Sequence, residues 1–144
     1  MDGTFTVGTF NVRGLRNKLK RTAVFQFLSD QKLMLCFIQE VHLKDHKDVL
    51  MFKREWSRGE SVWSVGGVHS SGVGILFGSW EVRVEEVFVV VQGRAVGADI
   101  CYRGCKFRVI GLYGPQRVVE RGEMFEELVR FCMTNRTIIV GGGL

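Results

Sequence analysis

Three polar residues stand where apolar runs of this chain stop: Asn11, Glu40 and Tyr113. Glu40 closes Leu33-Met34-Leu35-Cys36-Phe37-Ile38-Gln39-Glu40, a run entered after the polar break Ser29-Asp30-Gln31-Lys32. An apolar run of this length reads as a strand covered on both faces. In open α/β architectures functional groups collect at the carboxyl ends of such strands. An ionised glutamate there suits a hard cation such as Mg²⁺, which prefers oxygen ligands; it is equally the ordinary first solvated residue after a strand. Asn11 ends a first strand over residues 5–12, in Asn11-Val12-Arg13-Gly14, and has a second reading as an Asx-turn residue. Tyr113 lies in Leu112-Tyr113-Gly114-Pro115, where Pro115 must take the chain out of its sheet. It is a third polar strand end or an amphipathic interface tyrosine.

Other reactive side chains carry less. His42 and His46 have the i, i+4 spacing of a two-histidine metal site, but the glutamate of H-E-x-x-H is absent and the segment is loop-like, so both read as surface histidines. His69 falls in a turn with no obvious partner. Cys36 and Cys132 lie in apolar patterns and read as buried thiols. Cys101 and Cys105 bracket Tyr102-Arg103-Gly104; a two-residue turn at Arg103-Gly104 sends them to opposite faces, against a disulfide or a shared metal. This cysteine usage fits a reducing compartment, nuclear or cytoplasmic.

The elements that must position these groups follow from periodicity. A helix over 15–30 has Val24, Phe27 and Leu28 as its apolar stripe, and its start carries Arg13, Arg16, Lys18, Lys20 and Arg21. Cations oppose the macrodipole at a helix N-terminus, so helix stability does not explain them. They make a solvated basic face or a phosphate-binding surface. A weak helical segment covers 49–56. From Ser61 the period becomes two, giving short strands at 61–65, 73–77, 80–84, 87–92, 96–102 and 106–113, an antiparallel succession. A helix over 119–133 has Phe125, Leu128, Val129 and Cys132 as its stripe, with Glu126 placed to pair with Arg130. A β-branched strand, Thr137-Ile138-Ile139-Val140, then runs into Gly141-Gly142-Gly143-Leu144.

The 144 residues suffice for one compact domain, and 46% hydrophobic with 24% charged residues is ordinary for a globular protein. The net charge of +5 fits a polyanionic partner without demanding one. No apolar run reaches the roughly 18 residues of a membrane span, and Met1-Asp2-Gly3-Thr4 lacks the features of a secretory signal.

Taken together, Thr9-Phe10-Asn11-Val12-Arg13-Gly14-Leu15, Phe37-Ile38-Gln39-Glu40-Val41-His42-Leu43 and Leu112-Tyr113-Gly114-Pro115 resemble the endonuclease/exonuclease/phosphatase superfamily. They are most similar to the N-terminal endonuclease domain of vertebrate long interspersed element (non-LTR) retrotransposons. Ser71-Gly72-Val73-Gly74-Ile75-Leu76-Phe77 resembles that family's glycine-led central strand, and Ile138-Ile139-Val140-Gly141-Gly142 the strand before its Gly-Asp-Phe-Asn motif. The resemblance implies the N-terminal part of a two-sheet, deoxyribonuclease I-like α/β sandwich, with residues 1–144 an incomplete domain lacking its C-terminal part. It implies phosphodiester cleavage with Mg²⁺ or Mn²⁺, DNA as partner, and a linked reverse transcriptase domain in a complete element. Glu40 would be the metal ligand, Asn11 would support the metal and the scissile phosphate, and Tyr113 would donate to a phosphate oxygen. Arg13, Arg16, Lys18, Lys20 and Arg21 would hold the DNA backbone. Gly143 stands at the family's aspartate and Leu144 at its phenylalanine, Gln116 replaces a frequent asparagine, and the later Ser-Asp-His motif is absent. A catalytic set missing such members loses most of its rate, so the expectation is an inactive fragment with one sheet face uncovered. The alternatives are a non-catalytic DNA-binding remnant and a small phosphate-ester hydrolase of the same fold.

Overall fold

The computed structural model describes residues 5–66, 72–115 and 117–143; the expectations for His69, Ser71, Gln116 and Leu144 lie outside these described residues. The element order is β1 (Val7–Asn11), α1 (Lys18–Asp30), β2 (Leu35–Gln39), α2 (His46–Glu55), β3 (Ser61–Ser64), β4 (Val73–Phe77), β5 (Arg83–Val91), β6 (Ala95–Tyr102), β7 (Cys105–Tyr113), α3 (Val118–Phe131) and β8 (Thr137–Gly143). Two mixed four-stranded sheets result, ordered β1-β2-β4-β3 and β5-β6-β7-β8, with β1/β2 and β7/β8 parallel.

Alternation along β2 explains the layering. Leu35 and Phe37 face the second sheet, where they meet Val96, Ala98, Ile100 and Val109. Cys36 and Ile38 face outward into a cluster with Phe25 and Leu28 of α1 and Val49 and Phe52 of α2. Both faces of β2 are therefore buried, as its unbroken apolar run predicts. Burial pushes the Cys36 thiol up to about 12, leaving it an inert core group. On the far side of the second sheet, α3 packs Met124 and Leu128 against Val90, Ala95, Ile110 and Leu112.

Several local expectations are corrected. The strands from Ser61 onward divide between two sheets instead of forming one antiparallel sheet. Residues 80–84 and 87–92 are not two strands: Arg83–Val91 is one, with a register shift between Val84 and Glu86. That irregularity reverses the alternation, so one strand mimics two. In α1 the buried face is Arg21, Phe25 and Leu28, while Phe27 is 51% exposed. The seam turns toward α2 because Phe25 meets Phe52 and Trp56 edge-on at 6.4 and 5.6 Å. In α3 the buried set is Met124 and Leu128, with Phe131 stacked on Phe88 at 4.8 Å. That rotation leaves Phe125, Val129 and Cys132 exposed and pairs Arg130 with Glu127, not Glu126. The inner faces of the two sheets pack on each other, yet Val7 of β1 and Val87 and Val89 of β5, which share those faces with their register partners Leu35, Ala98 and Val96, stay exposed. The β6–β7 turn is as expected: Tyr102 pairs with Cys105, Arg103 and Gly104 have positive φ, and both cysteines are free.

An ionic clamp joins the second sheet to its helix. Arg108 donates to both oxygens of its cross-strand neighbour Asp99 at 2.7 and 2.9 Å, donates to the Phe131 carbonyl at 3.0 Å, and lies over Phe88. Arg136 donates to the carbonyls of Ile100 and Phe107, both at 3.1 Å, and to Glu85 at 2.9 Å. The hydrogen bond from Arg108 holds Asp99 below the usual carboxylate range, more than offsetting its desolvation. A carboxylate held low stabilises the fold above its unfolded value of about 4 and loses that contribution as pH falls through its folded value. The parent should therefore melt at constant temperature from about pH 7 to 5 and lose stability below about pH 4. Asp99→Asn should lower stability by roughly 2–3 kcal/mol at pH 7, by stranding Arg108, and should flatten the acid limb. Thermal melts across this range check both; an Asp99→Asn curve parallel to the parent's would count against the clamp.

Candidate active site

Parallel pairing fixes the first two groups. β1 and β2 run in register from Val7↔Leu35 to Asn11↔Gln39, so Asn11 ends one strand beside the point where Glu40 follows the other. The chain ends beyond these strands stay zipped: Val12 N donates to Gln39 O and Leu15 N to Val41 O, both at 3.0 Å, and Gly14 N donates to Glu40 O. Val41 N donates to Gly72 O at 3.2 Å, tying the same corner to the start of β4. Arg13, Glu40 and His42 all sit at left-handed φ of 50 to 61°, which non-glycine residues adopt at a cost.

Both the oxygen and the nitrogen of the Asn11 amide are engaged. Arg13 N donates to Oδ1 at 3.1 Å, which fixes the amide orientation, and Nδ2 donates to Glu40 Oε2. The Asx-turn reading and the strand-end reading are thus both met by one residue: the turn orients the amide and the amide orients Glu40. Glu40 itself remains half-exposed. Beneath it Gln39 is buried and donates to Thr9 Oγ1 at 2.9 Å.

The second sheet delivers its own strand ends to the same end of the sandwich. Phe37 is wholly buried, and a Cβ at Gly111 or Gly141 would come within 2.9 or 2.1 Å of its ring. Those two glycines let β7 and β8 pass directly under β2. Two register steps past Gly111 and Gly141, Tyr113 pairs with Gly143, and Gly114 N donates to Gly143 O at 2.7 Å. Gly142 has φ +128° and its Cβ would strike Leu112 O, so packing dictates Gly141 and Gly142. Gly143 is different: among the described residues a Cβ there meets nothing within 4 Å.

The expected basic residues separate into two groups. Arg13, Arg16, Lys18 and Lys20 are exposed. Lys20 Nζ donates to the Arg13 carbonyl at 2.7 Å, clipping the start of α1 to the Asn11 turn, and Arg16 lies 3.6 Å from Asp48. Arg21 is instead 2% exposed. It donates to Glu55 at 2.8 and 3.1 Å and to the Leu15 and Arg16 carbonyls, with its guanidinium over Phe52. Arg21 is an internal strut between α1, α2 and the loop after Asn11, and is withdrawn from the basic surface. Sequence spacing hides this, because an arginine on a core stripe looks like its exposed neighbours until its partner Glu55 is placed.

His42 and His46 are exposed, His46 opening α2. Among the described residues no three His, Cys, Asp or Glu side chains are grouped to hold a metal. Periodicity also missed Arg94, in the β5–β6 turn. Its guanidinium lies 5.3 Å over the Tyr113 ring and its carbonyl accepts from Tyr113 N at 2.7 Å.

This two-sheet sandwich flanked by helices is the endonuclease/exonuclease/phosphatase fold. No protein-family model matches the chain. The chain is similar in structure to a humanised D. rerio TDP2 (TM-score 0.74, 16% identity, 96% of this chain and 65% of that one). It is also similar to the endonuclease domain of TRAS1, a telomere-specific non-LTR retrotransposon (0.68, 16%, 96% and 59%). An AP endonuclease from Archaeoglobus fulgidus gives 0.70, 22%, 96% and 56%. At these identities the likeness is one of fold. In sequence, the "Transposon TX1 uncharacterized 149 kDa protein" of Xenopus laevis is 26% identical over 141 residues, 95% of this chain and 11% of that protein. The chain thus spans about a tenth of that relative and under two thirds of these solved chains.

Replacing Arg21 should act on stability. Arg21→Ala leaves the buried Leu15 carbonyl and the part-buried Glu55 carboxylate without their partner and should cost roughly 3 kcal/mol in urea unfolding. A loss below about 0.5 kcal/mol, the size of an ordinary surface change, would contradict the strut.

Proposed function

We propose that this chain carries the metal-dependent phosphodiester site of a DNA-nicking endonuclease of the non-LTR retrotransposon type, acting on the DNA backbone. The observation that carries the reading is the Asn11–Glu40 pair, oriented by the Arg13 amide and set at the ends of two parallel strands on this fold. Its retrotransposon character rests on the TX1 and TRAS1 likenesses together with the motifs themselves.

The residues fit a hard, largely hydrated cation. Mg²⁺ keeps several waters and is held by one or two carboxylates plus substrate phosphate, so a single half-exposed glutamate meets its needs, whereas an all-protein cage would require more. Glu40 would hold the ion, with Asn11 fixing the Glu40 carboxylate from the side. When bound, Mg²⁺ or Mn²⁺ supplies charge that stabilises a phosphoryl group in displacement. Tyr113 offers a neutral donor to a phosphate oxygen, and Arg13, Arg16 and Lys18 attract the backbone. Glycine at 143 offers no carboxylate, so the site as it stands binds better than it cuts. This favours DNA binding without turnover as the second reading.

Supercoiled plasmid tests this. The open space at Gly143 admits a side chain, so Gly143→Asp should raise Mg²⁺-dependent nicking by ~100-fold over the parent, the scale of one positioned proton acceptor. Glu40→Ala and EDTA should each abolish nicking in both backgrounds. Nicking that survives Glu40→Ala in a folded chain would sink the assignment.

A further inference from the structure

Arg94 is stacked on Tyr113 of the proposed site, and among the described residues no carboxylate forms an ion pair with it. Its guanidinium lies over the Tyr113 ring at 5.3 Å and makes no ion pair or side-chain hydrogen bond. Glu120, Glu123, Glu126 and Glu127 line the same cavity of about 500 Å³, but none comes within ion-pair distance of it. The contrast with Arg103 is instructive. Arg103 lies over the other tyrosine, Tyr102, at 5.0 Å, and is also paired with Glu81 at 3.1 Å.

The backbone around Arg94 is held on several sides. Arg94 N donates to Val91 O at 2.9 Å, its carbonyl accepts from Tyr113 N, Gly93 N donates to the buried Ser64 Oγ at 2.8 Å, and Gln92 Nε2 donates to Val65 O. The β5–β6 turn is therefore pinned both to β3 of the first sheet and to the end of β7. A guanidinium stacked on a tyrosine from a half-buried residue, with no side-chain hydrogen bond among the described residues, has already lost much of its side-chain freedom. It presents a forked donor matched to phosphate at little further ordering cost.

We propose that Arg94 is a phosphate-binding residue which, stacked on Tyr113, holds the nucleic-acid backbone on the second-sheet side of the site. This rests on the DNA-backbone reading above. It adds a contact from the turn opposite the basic start of α1, so that the backbone is held from both sheets.

Binding of a short fluorescein-labelled duplex in EDTA, titrated with salt, tests it without any turnover. Arg94→Gln should lower the slope of log K against log salt by about one and raise Kd at low salt about tenfold. Arg94→Lys, which keeps the charge but not the fork, should keep the slope and weaken binding less. Arg103→Gln, the same stack away from the site, should change neither. An Arg94→Gln chain with parental slope and Kd overturns the inference while leaving the reading intact, even if its melting temperature falls, since that marks a merely structural stack. A parent with no salt-dependent binding overturns both; a parent that binds, with Lys18→Glu weakened but Arg94→Gln not, overturns the inference alone.

Discussion

Phe37 is the constraint on which the architecture turns. Its ring occupies space that side chains at positions 111 and 141 would fill, so β2 of the first sheet sits directly over β7 and β8 of the second. Buried aromatic surface of this size makes a large contribution to a small core. It also fixes registry between the sheets. Because Glu40 lies three residues beyond Phe37, while Tyr113 and Gly143 lie two beyond the glycines, the same packing brings both sets of strand ends to one end of the sandwich. Catalytic placement here would be a consequence of core packing, with no loop needed to carry the groups together.

The left-handed residues at that end have a corresponding logic. Arg13, Glu40 and His42 are strained individually, and the backbone bonds between residues 12–15 and 39–41 hold them. Strain of this kind persists when the surroundings over-determine it. Lys20 reaching the Arg13 carbonyl and Arg21 reaching the Leu15 and Arg16 carbonyls supply further fastening from α1. The basic start of that helix thus serves two purposes, internal fastening for Arg21 and an exposed cationic face for Arg13, Arg16 and Lys18.

Much of this was legible in the chain. The doubly buried β2 follows from its unbroken apolar run, and the three polar strand ends are visible because each interrupts such a run. What stayed hidden depends on long-range partners. The face α1 buries is set by Phe52 of α2 and Trp56 just after it, and that of α3 by Phe88 across the sheet. Arg21 looks like its neighbours until Glu55 is found. Arg94 lies in a turn whose only sequence mark is Gly93, and its significance appears once β7 places Tyr113 beside it. Periodicity also read β5 as two strands, because an irregularity near Glu85 changes which face alternate residues occupy.

The claim that organises the site is that Glu40, oriented by Asn11, holds a divalent cation. Titrating Mn²⁺ into the isotope-labelled chain and following paramagnetic broadening of its amide signals tests this directly. Broadening centred on residues 11–14 and 39–42, and absent in a folded Glu40→Ala chain, is the result expected. Broadening centred elsewhere, or unchanged by that substitution, would contradict the account.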